Sequence, residues 1–425
     1  MDSFKIQGPA RLEGSVSVSK AKNSSLPILA ATLLCAKPVA IKDLPRLRDV
    51  TTMKELLMSF GVKVDGDYID TSSINNTYAA YDLVRKMRAS VLVLGPLLSR
   101  FGEAKVCLPG GCAIGTRPVD LHILGLEKMG AEVVVESGYI NAKASRLKGA
   151  QINLNFPSVG ATENLLMAAV FAEGETIIQN AAREPEIEDL GNFLLAAFKE
   201  LKITGLGTET ITIQGIDQNS ANEEISYKPI ADRIEASTLI IAGVMTNSNI
   251  VIKDLETSHI GSVLNALKMS HANLKVYDNE VEVLPRNKEL SGFNLRTMPF
   301  PYFPTDVQAQ FMALATIIND TSIISEEIFE NRFMHVSELN RMGADIRLND
   351  QTAVIVGGKT LKAAPVMCTD LRASAALVLA SMVADGETSI RRVYHLDRGY
   401  DGFEDKLSSL GCSISRVKAN SEARL

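Results

Sequence analysis

The sequence contains no tryptophan, and aromatic residues make up only 5% of its 425 positions. Proteins that bind single-stranded nucleic acid stack the bases on aromatic side chains, and this chain has few of them. It also lacks an excess of positive charge, since 50 acidic residues outnumber 44 lysines and arginines and give a net charge of -6. Neutralising phosphates requires clustered lysine and arginine. Both deficits argue against a nucleic-acid-binding protein.

Long apolar runs are also missing. The longest, around Leu26 to Ala36, falls well short of the roughly 20 residues that a membrane-spanning helix needs. The first residues show neither a basic leader followed by an apolar stretch nor a small-residue cleavage site. We therefore expect a cytoplasmic protein with no membrane insertion.

Cysteine and histidine are sparse and scattered. No C-x-x-C pair, H-E-x-x-H motif or histidine pair at i, i+4 is present, so the sequence offers no metal-ligand pattern. The cysteines are interpreted as reduced thiols, and their positions are Cys35, Cys107, Cys112, Cys368 and Cys412.

The remaining composition is that of an ordinary globular protein, with 46% hydrophobic and 22% charged residues. A single hydrophobic core seldom serves a chain of this length, so we expect two domains. Ligands often bind between domains, which makes a cleft the expected location of a functional site.

A pattern of two helices and two strands recurs along the chain. Each copy opens with a helix of small and apolar residues that is too apolar for a surface position. A strand rich in β-branched residues follows this helix. A second, amphipathic helix then leads into another strand. The first helices begin near Lys22, Arg88, Ser158, Asp232, Asp306 and Asp370. The second helices lie within 50–64, 120–134, 335–346 and 402–414, with degenerate copies that lack the capping glycine at 185–203 and 258–276.

The copies are spaced by about 70 residues, which is longer than a solenoid repeat and predicts that each copy is a small α/β unit. Six units divide into two groups of three, with the apolar helices buried in the middle of each group. The polar stretch 215–224 is the predicted boundary, and an opening strand, Phe4 to Val18, could close either domain. The alternative is that any α/β protein would show such helices, but the paired order in all copies favours a repeat.

Charged residues stand at the starts of the first helices, where free N–H groups and the helix dipole favour anions. Asp232, Asp306 and Asp370 are well explained as N-caps. Lys22, Arg88 and Arg372 oppose the dipole unless an anion compensates, and we therefore favour a functional role for them.

A loop rich in glycine and proline follows at 109–118 and contains Cys112 and Arg117. Its glycines allow backbone to approach a ligand. Arg117 could favour the thiolate of Cys112, whereas Cys35 and Cys368 lie among apolar residues and are predicted to be inert. These residues alone leave two interpretations open, a mobile lid with a reactive thiol and an ordinary surface loop.

Motifs spread in order along nearly the whole chain resemble those of the UDP-N-acetylglucosamine 1-carboxyvinyltransferases, which are enolpyruvyl transferases. They lie at 21–27, 87–90, 108–112, 117–122, 158–162, 182–186, 303–306, 330–335, 369–374 and 394–400. The resemblance implies an α/β fold of two inside-out barrels, each of three repeats. It places 21–228 in one domain and 1–20 with 229–425 in the other, with the active site in the cleft between them.

The same resemblance implies the activity. Enzymes of this family move the enolpyruvyl group of phosphoenolpyruvate to the 3-hydroxyl of UDP-N-acetylglucosamine and release phosphate, the first committed step of peptidoglycan synthesis. Phosphoenolpyruvate is a co-substrate and no cofactor is expected, although a phosphoenolpyruvate-derived adduct on Cys112 is possible. Fosfomycin is the expected covalent inhibitor.

Carried over position by position, the resemblance implies that Cys112 donates a proton to C3 of phosphoenolpyruvate or adds to C2, and that Asp306 is the general base. Lys22, Arg117 and Arg398 would hold the phosphate, and Arg372 with Arg398 the carboxylate. The implied sugar-nucleotide site and its surroundings comprise Asn23, Arg88, Pro118, Val119, Asp120, Leu121, His122, Ser158, Val159, Gly160, Glu184, Glu186, Arg233, Ile328, Phe329 and Asp370.

Two positions depart from the family pattern. Lys20 stands where the family has glycine, which questions the local backbone conformation, and Phe156 replaces a lysine that some members have near the uridine.

Two alternative functions remain besides this transfer. The shikimate-pathway enolpyruvyl transferase is disfavoured because its glycine-rich substrate motif is absent, and a catalytically silent sugar-nucleotide sensor is disfavoured because the residues implied in catalysis are intact.

Overall fold

The structure is a computed structural model that describes residues 2–108 and 119–418. These residues form two compact units. The N-terminal unit comprises residues 20–108 and 119–230, and the C-terminal unit comprises residues 2–19 and 231–418. Each unit has its own hydrophobic core. The polar stretch 215–224 lies inside the N-terminal unit rather than between the units.

The strands are short, mostly of three to six residues. In chain order they are β1 (Ser3–Gly8), β2 (Glu13–Ser17), β3 (Val39–Ile41), β4 (Lys63–Asp65), β5 (Tyr68–Asp70), β6 (Tyr78–Ala79), β7 (Glu103–Cys107), β8 (Glu132–Glu136), β9 (Tyr139–Lys143), β10 (Gln151–Asn153), β11 (Glu175–Gln179), β12 (Lys202–Thr204), β13 (Thr210–Gln214), β14 (Ser226–Tyr227), β15 (Asn249–Lys253), β16 (Leu274–Val276), β17 (Glu280–Val283), β18 (Asn294–Arg296), β19 (Thr321–Ser325), β20 (Ile346–Asn349), β21 (Thr352–Val356), β22 (Pro365–Met367), β23 (Gly386–Arg391) and β24 (Ser413–Val417).

The strands form four-stranded sheets with one shared topology. In every sheet an edge strand pairs in parallel with its neighbour, and the next two pairings are antiparallel. The sheets of the N-terminal unit are β14-β3-β5-β4, β6-β7-β9-β8 and β10-β11-β13-β12. Those of the C-terminal unit are β2-β15-β17-β16, β18-β19-β21-β20 and β22-β23-β1-β24. The predicted three repeats per unit are confirmed.

The predicted opening strand is wrong in one respect, because Phe4 to Val18 forms two strands rather than one. β1 completes the sheet of β23 and β24, whereas β2 pairs with β15 in a different sheet of the same unit. The break lies at Gly8-Pro9, where proline cannot donate to a strand ladder. A side chain at Gly8 would also collide with the Ala384 carbonyl.

Apart from the single turn Tyr81–Val84, the helices alternate between the two kinds that the repeat predicts. They are α1 (Lys22–Ala31), α2 (Arg48–Ser59), α3 (Tyr81–Val84), α4 (Leu94–Phe101), α5 (Asp120–Lys128), α6 (Val159–Ala168), α7 (Pro185–Ala197), α8 (Arg233–Met245), α9 (Gly261–Met269), α10 (Gln308–Ile317), α11 (Val336–Arg341), α12 (Leu371–Val383) and α13 (Phe403–Ser409). Short 3-10 turns precede α4 at Arg88–Val93 and α10 at Thr305–Val307. No helix among the described residues is long and apolar enough to cross a membrane.

The first helix of each repeat is buried on all sides, as predicted. Every residue of α8 is buried, and in α12 only the terminal Leu371 and Val383 are partly exposed. α8, α10 and α12 contact one another in the C-terminal unit, and α4 contacts α6 in the N-terminal unit. Two of their buried hydroxyls are satisfied within the helix, since Ser237 and Ser381 each donate to the carbonyl four residues earlier, at 2.7 Å.

The second helices are amphipathic and cover the central ones from outside. Four of them are followed by a glycine in the left-handed region, with φ between 86° and 96° at Gly61, Gly130, Gly343 and Gly411. After α9, one of the degenerate copies, His271 adopts φ 65° in place of glycine. After α7, the other degenerate copy, the chain leaves in an extended conformation at Phe198.

The central helix α6 carries a buried acid. Glu163 of α6 is 4% exposed. Burial, with the negative charges of Glu186 and Glu184, raises the pKa of Glu163 well above its ordinary value. The native state therefore holds Glu163 in its protonated form to a higher pH than the unfolded chain does.

We predict that Glu163 makes the stability of the protein fall as pH rises. The folded chain keeps a proton that the unfolded chain releases near its ordinary pKa of about 4.3, so the free energy of unfolding decreases above that pH by up to about 1.4 kcal/mol per pH unit. Glu163→Gln keeps the shape and removes this titration. Urea unfolding from about pH 5 to pH 8 should give a flatter dependence for Glu163→Gln.

The exposed Glu127 of α5 provides a matched control, and Glu127→Gln should keep the pH dependence of the parent. Equal slopes for the parent and Glu163→Gln would show that Glu163 is ionised in the native state.

Candidate functional site

Three of the predicted site residues, Cys112, Arg117 and Pro118, lie outside the described residues. The other predictions fall on both units, and each unit is considered by itself. The N-terminal unit holds Lys22, Asn23, Arg88, Val119, Asp120, Leu121, His122, Ser158, Val159, Gly160, Glu184 and Glu186. The C-terminal unit holds Arg233, Asp306, Ile328, Phe329, Asp370, Arg372 and Arg398.

Asp306 is the centre of an ion-pair cluster in the C-terminal unit. Its Oδ1 lies 2.5 Å from Nη2 of Arg332 and 3.5 Å from Nε of Arg372. The two guanidinium side chains are 6% and 4% exposed, against 27% for the carboxylate. Two buried cations thus hold a carboxylate that solvent can still reach, and this geometry favours its ionised, proton-accepting form.

The prediction that Asp306 is an N-cap is wrong. The chain enters α10 through the 3-10 turn Thr305–Val307, so that Val307 occupies the capping position. Asp306 lies one residue earlier, in the turn itself, where its Oδ1 faces Arg332 and Arg372 rather than the first N–H groups of the helix. Its carboxylate is therefore available for ion pairing.

Arg332 was not singled out from the sequence. Its Nη1 donates to Thr305 Oγ1 at 2.9 Å, and its guanidinium lies over the ring of Phe329 at 5.2 Å. The separation of Arg332 from Asp306 in the sequence matches no helix or strand period. Only its place in the family motif 330–335 could have pointed to it.

The fully buried Glu326 organises the segment that carries Ile328 and Phe329. Its Oε1 accepts from the backbone N–H groups of Ile328 and Phe329 at 3.0 and 3.1 Å. Thr305 Oγ1 donates to the other oxygen, Oε2, at 2.8 Å. One carboxylate therefore ties this segment to the turn that bears Asp306.

Arg372 lies in the first turn of α12, behind the cap Asp370. Asp370 Oδ1 accepts from the N–H groups of Arg372 and Ala373 at 2.9 and 3.0 Å, which confirms its predicted capping role. Burial alone would lower the pKa of Arg372, but the attraction of Asp306 and further neighbours outweighs it and raises the pKa. Its Nη1 is buried and has no hydrogen-bond partner among the described residues.

Arg233 and Arg398 complete the predicted cations of this unit. Arg233 follows the confirmed N-cap Asp232, is 8% exposed, and stacks over Phe300 at 5.7 Å. Arg398 ends the 3-10 turn Val393–Arg398 and is half-buried. Its neighbour Asp397 accepts from Arg416 at 2.6 and 3.0 Å.

In the N-terminal unit, the cation at the start of α1 has a counterion that sequence reasoning missed. Lys22 Nζ lies 3.7 Å from Asp49 Oδ2, and the side chains are 15% and 6% exposed. Asp49 lies in the first turn of α2.

Lys20, two residues before Lys22, replaces the glycine of the family pattern. Its backbone lies outside the left-handed region, so the residue adopts this conformation without strain.

A second group of predicted residues meets at the start of α6. Ser158 caps this helix by accepting from Ala161 N–H at 3.3 Å. A Cβ at Gly160 would lie 3.4 Å from Cε1 and 3.5 Å from Nε2 of His122, so these residues are neighbours. Burial, with the positive charge of Arg88, lowers the pKa of His122 to about 4. His122 is therefore neutral at physiological pH.

Glu184 and Glu186 flank the start of α7, with Glu184 at its N-cap and Pro185 as its first residue. Both affect the pKa of Glu163, the buried acid of α6. Sequence reasoning did not consider Glu163, although a carboxylic acid inside an apolar helix was a visible signal.

Among the described residues, no three histidine, cysteine, aspartate or glutamate side chains are placed to hold a metal ion.

The four described cysteines are all buried. Burial is the main cause that raises the pKa of Cys35 and of Cys368 to about 12 and that of Cys412 to about 11, and it also raises the pKa of Cys107. A thiol reacts as its thiolate, so these four are poor nucleophiles, as predicted for Cys35 and Cys368.

Comparison with known proteins gives a consistent result over nearly the whole chain. A family model described as EPSP synthase (3-phosphoshikimate 1-carboxyvinyltransferase) matches residues 6–407. The UDP-N-acetylglucosamine 1-carboxyvinyltransferase of Thermodesulfovibrio yellowstonii is 51% identical over 98% of this chain and 100% of that protein. The protein of the same name from Coxiella burnetii is 50% identical over 99% of this chain and 97% of that protein.

Solved structures agree on the fold. The enolpyruvyl transferase NikO from Streptomyces tendae is similar with a TM-score of 0.87 and 25% identity, covering 98% of this chain and 99% of that one. EPSP synthase from Acinetobacter baumannii shares the fold at a TM-score of 0.75 and 16% identity, over 98% and 100% of the two chains. The chain therefore belongs to the enolpyruvyl transferase family, within the group formed by the UDP-N-acetylglucosamine 1-carboxyvinyltransferases.

Proposed function

We propose that the protein transfers the enolpyruvyl group of phosphoenolpyruvate to the 3-hydroxyl of UDP-N-acetylglucosamine and releases inorganic phosphate, as the first committed step of peptidoglycan synthesis in the cytoplasm. The observation that carries this proposal is the cluster in which Asp306 is held between Arg332 and Arg372. The names of the relatives at 50 and 51% identity support the choice of substrates.

The chemistry of phosphoenolpyruvate explains why buried cations are needed. The ligand carries up to three negative charges, and positioned cations stabilise the charge that develops during addition. Nη1 of Arg372 is a buried donor without a partner among the described residues, while Nε of the same group faces Asp306. An incoming carboxylate would satisfy this donor. We assign the carboxylate to Arg372 and Arg398, and the phosphate to Lys22, Arg117 and Arg398.

The reaction has two steps, each with a proton transfer. In the addition, the sugar 3-hydroxyl oxygen attacks C2 of phosphoenolpyruvate, Asp306 accepts the hydroxyl proton, and Cys112 donates a proton to C3. In the elimination, C3 loses a proton, the carbon-carbon double bond re-forms, and phosphate leaves C2. Addition of the Cys112 sulfur to C2, with loss of the carbon-carbon double bond and uptake of a proton at C3, would give a covalent adduct instead. A general acid or base is typically worth 10²–10⁴-fold in rate.

We assign the sugar nucleotide to the group around the start of α6. Ser158, Val159 and Gly160 are the cap and first residues of that helix, where free N–H groups favour an anion such as a diphosphate. Arg88 and His122 lie beside them. Asn23, Pro118, Val119, Asp120, Leu121, Glu184, Glu186, Arg233, Ile328, Phe329 and Asp370 complete the proposed surroundings.

The first prediction from the proposed function tests the activity itself. Purified protein should release phosphate only when both phosphoenolpyruvate and UDP-N-acetylglucosamine are present, as followed by a coupled phosphate assay. Release with shikimate 3-phosphate in place of the sugar nucleotide would indicate the shikimate-pathway reaction. Binding of UDP-N-acetylglucosamine in calorimetry without phosphate release would indicate a sensor.

The second prediction concerns the base. Asp306→Asn keeps the size of the side chain but cannot accept the hydroxyl proton, so kcat should fall by about 10²–10⁴-fold. Asp345→Asn is a matched control, because Asp345 also lies between two cations, with Lys359 at 3.0 Å and Arg347 at 3.3 Å. That variant should keep the parent rate. An Asp306→Asn enzyme that turns over at the parent rate would refute the assignment.

The third prediction concerns the thiol. Fosfomycin should label one cysteine when the Cys112 thiolate opens the epoxide, forming a carbon-sulfur bond while the epoxide oxygen takes up a proton. Mass spectrometry should show labelling in the parent and in Cys107→Ser, whose thiol is buried, and none in Cys112→Ser. Labelling that survives in Cys112→Ser would assign the reactivity to another cysteine.

A further inference from the structure

Asn164 of α6 is fully buried, and its side-chain hydrogen bonds reach other elements of the N-terminal unit. Its Oδ1 accepts from the backbone N–H of Gly95 at 2.5 Å. Its Nδ2 donates to the Val91 carbonyl at 3.0 Å and lies 2.9 Å from Nδ1 of His122. A backbone N–H only donates and a carbonyl only accepts, so these two backbone groups fix which end of the amide faces His122.

The fixed amide dictates the proton position on His122. Because Nδ2 of Asn164 is a donor, Nδ1 of His122 must be the acceptor. A neutral imidazole carries its single proton on the other nitrogen, so the proton lies on Nε2. The low pKa of His122, caused by burial and by Arg88, keeps the ring in this neutral state at physiological pH.

The surrounding packing leaves little freedom to this arrangement. A side chain at Gly95 would collide with the backbone carbonyl and the Oδ1 of Asn164, so the contact between α4 and α6 requires glycine. Gly160 lies on the other side of the ring. A Cβ there would be 3.5 Å from Nε2 of His122, so this nitrogen lies beside the first turn of α6.

We propose that Asn164 is a positioning residue that holds His122 as the Nε2–H tautomer, so that this N–H donates to an oxygen of the sugar nucleotide at the start of α6. The proposal rests on the proposed function for the choice of ligand. Asn164 itself touches no substrate and acts through the imidazole. The competing explanation is that Asn164 only holds α4, α5 and α6 together.

Nitrogen-15 NMR of the histidine side chains separates these explanations. The chain has five histidines, and the signal of His122 is the one lost in His122→Gln. The parent should show the Nε2–H tautomer, and both ring nitrogens should shift when UDP-N-acetylglucosamine is added. Asn164→Asp presents only acceptors and should move the proton to Nδ1, whereas Asn164→Leu should give a mixture of tautomers.

The kinetic expectation follows from the loss of one buried hydrogen bond to the ligand. KM for UDP-N-acetylglucosamine should rise about tenfold in Asn164→Asp and Asn164→Leu, while kcat and KM for phosphoenolpyruvate stay within about twofold of the parent. Gly160→Ala should raise the same KM without changing the tautomer, because its methyl covers Nε2–H. This variant tests the proposal even where the changes at Asn164 prevent folding.

Asn222 offers a matched control in the same unit. It is also buried, with Oδ1 accepting from Ala36 and Lys37 N–H at 2.8 and 2.7 Å and Nδ2 donating to the carbonyls of Lys37 and Glu223 at 3.1 and 2.8 Å. Asn222→Leu should lower the melting temperature but leave the His122 tautomer and all KM values unchanged.

Three results would overturn the proposal: an Nδ1–H tautomer in the parent, His122 signals that do not respond to bound sugar nucleotide, or unchanged KM in Gly160→Ala and in a folded Asn164 variant. Failure of the proposed function gives a different result. The parent would then show the Nε2–H tautomer but neither phosphate release nor binding of UDP-N-acetylglucosamine in calorimetry.

Discussion

Each unit is organised by the need to cover helices that are apolar on every side. A surface helix buries one stripe and leaves the other in water, but α8 and α12 expose almost nothing. One four-stranded sheet and one amphipathic helix can cover only part of such a helix. Three repeats let the central helices cover one another on the inside while sheets and second helices cover them on the outside. Burial of these helices therefore explains why the repeats pack together in each unit.

The same constraint explains where the polar chemistry collects. A helix surrounded on all sides has only its ends from which a polar side chain can reach solvent or a ligand. Lys22 begins α1, Ser158 caps α6, and Arg372 lies in the first turn of α12. The N-terminal ends also present free N–H groups, which favour anions. An acidic protein can thus assemble local anion sites without an overall positive charge.

The sequence was most informative where structure is local. The apolar helices and their repeat order follow from the residue pattern, and the caps Asp232 and Asp370 follow from residue type and position. It was least informative where residues meet across the fold. Arg332 reaches Asp306 from another segment, and Asp49 reaches Lys22 from the next helix, and no spacing rule predicts such pairs. Pro9 indicates an interruption of the opening strand, but which sheets β1 and β2 join depends on the whole unit.

The contrast among three aspartates at helix starts shows how a small backbone change alters chemistry. Asp232 and Asp370 each use Oδ1 to accept from two backbone N–H groups, so that oxygen is committed to holding a helix. Asp306 precedes a helix of the same kind, but the 3-10 turn moves it away from the capping position. Its carboxylate then meets guanidinium groups, which hold it ionised and leave part of it accessible to solvent. A general base needs both properties, because it must be deprotonated and must reach the proton that it removes. The turn Thr305–Val307 is therefore the local feature that distinguishes the proposed base from its two structural counterparts.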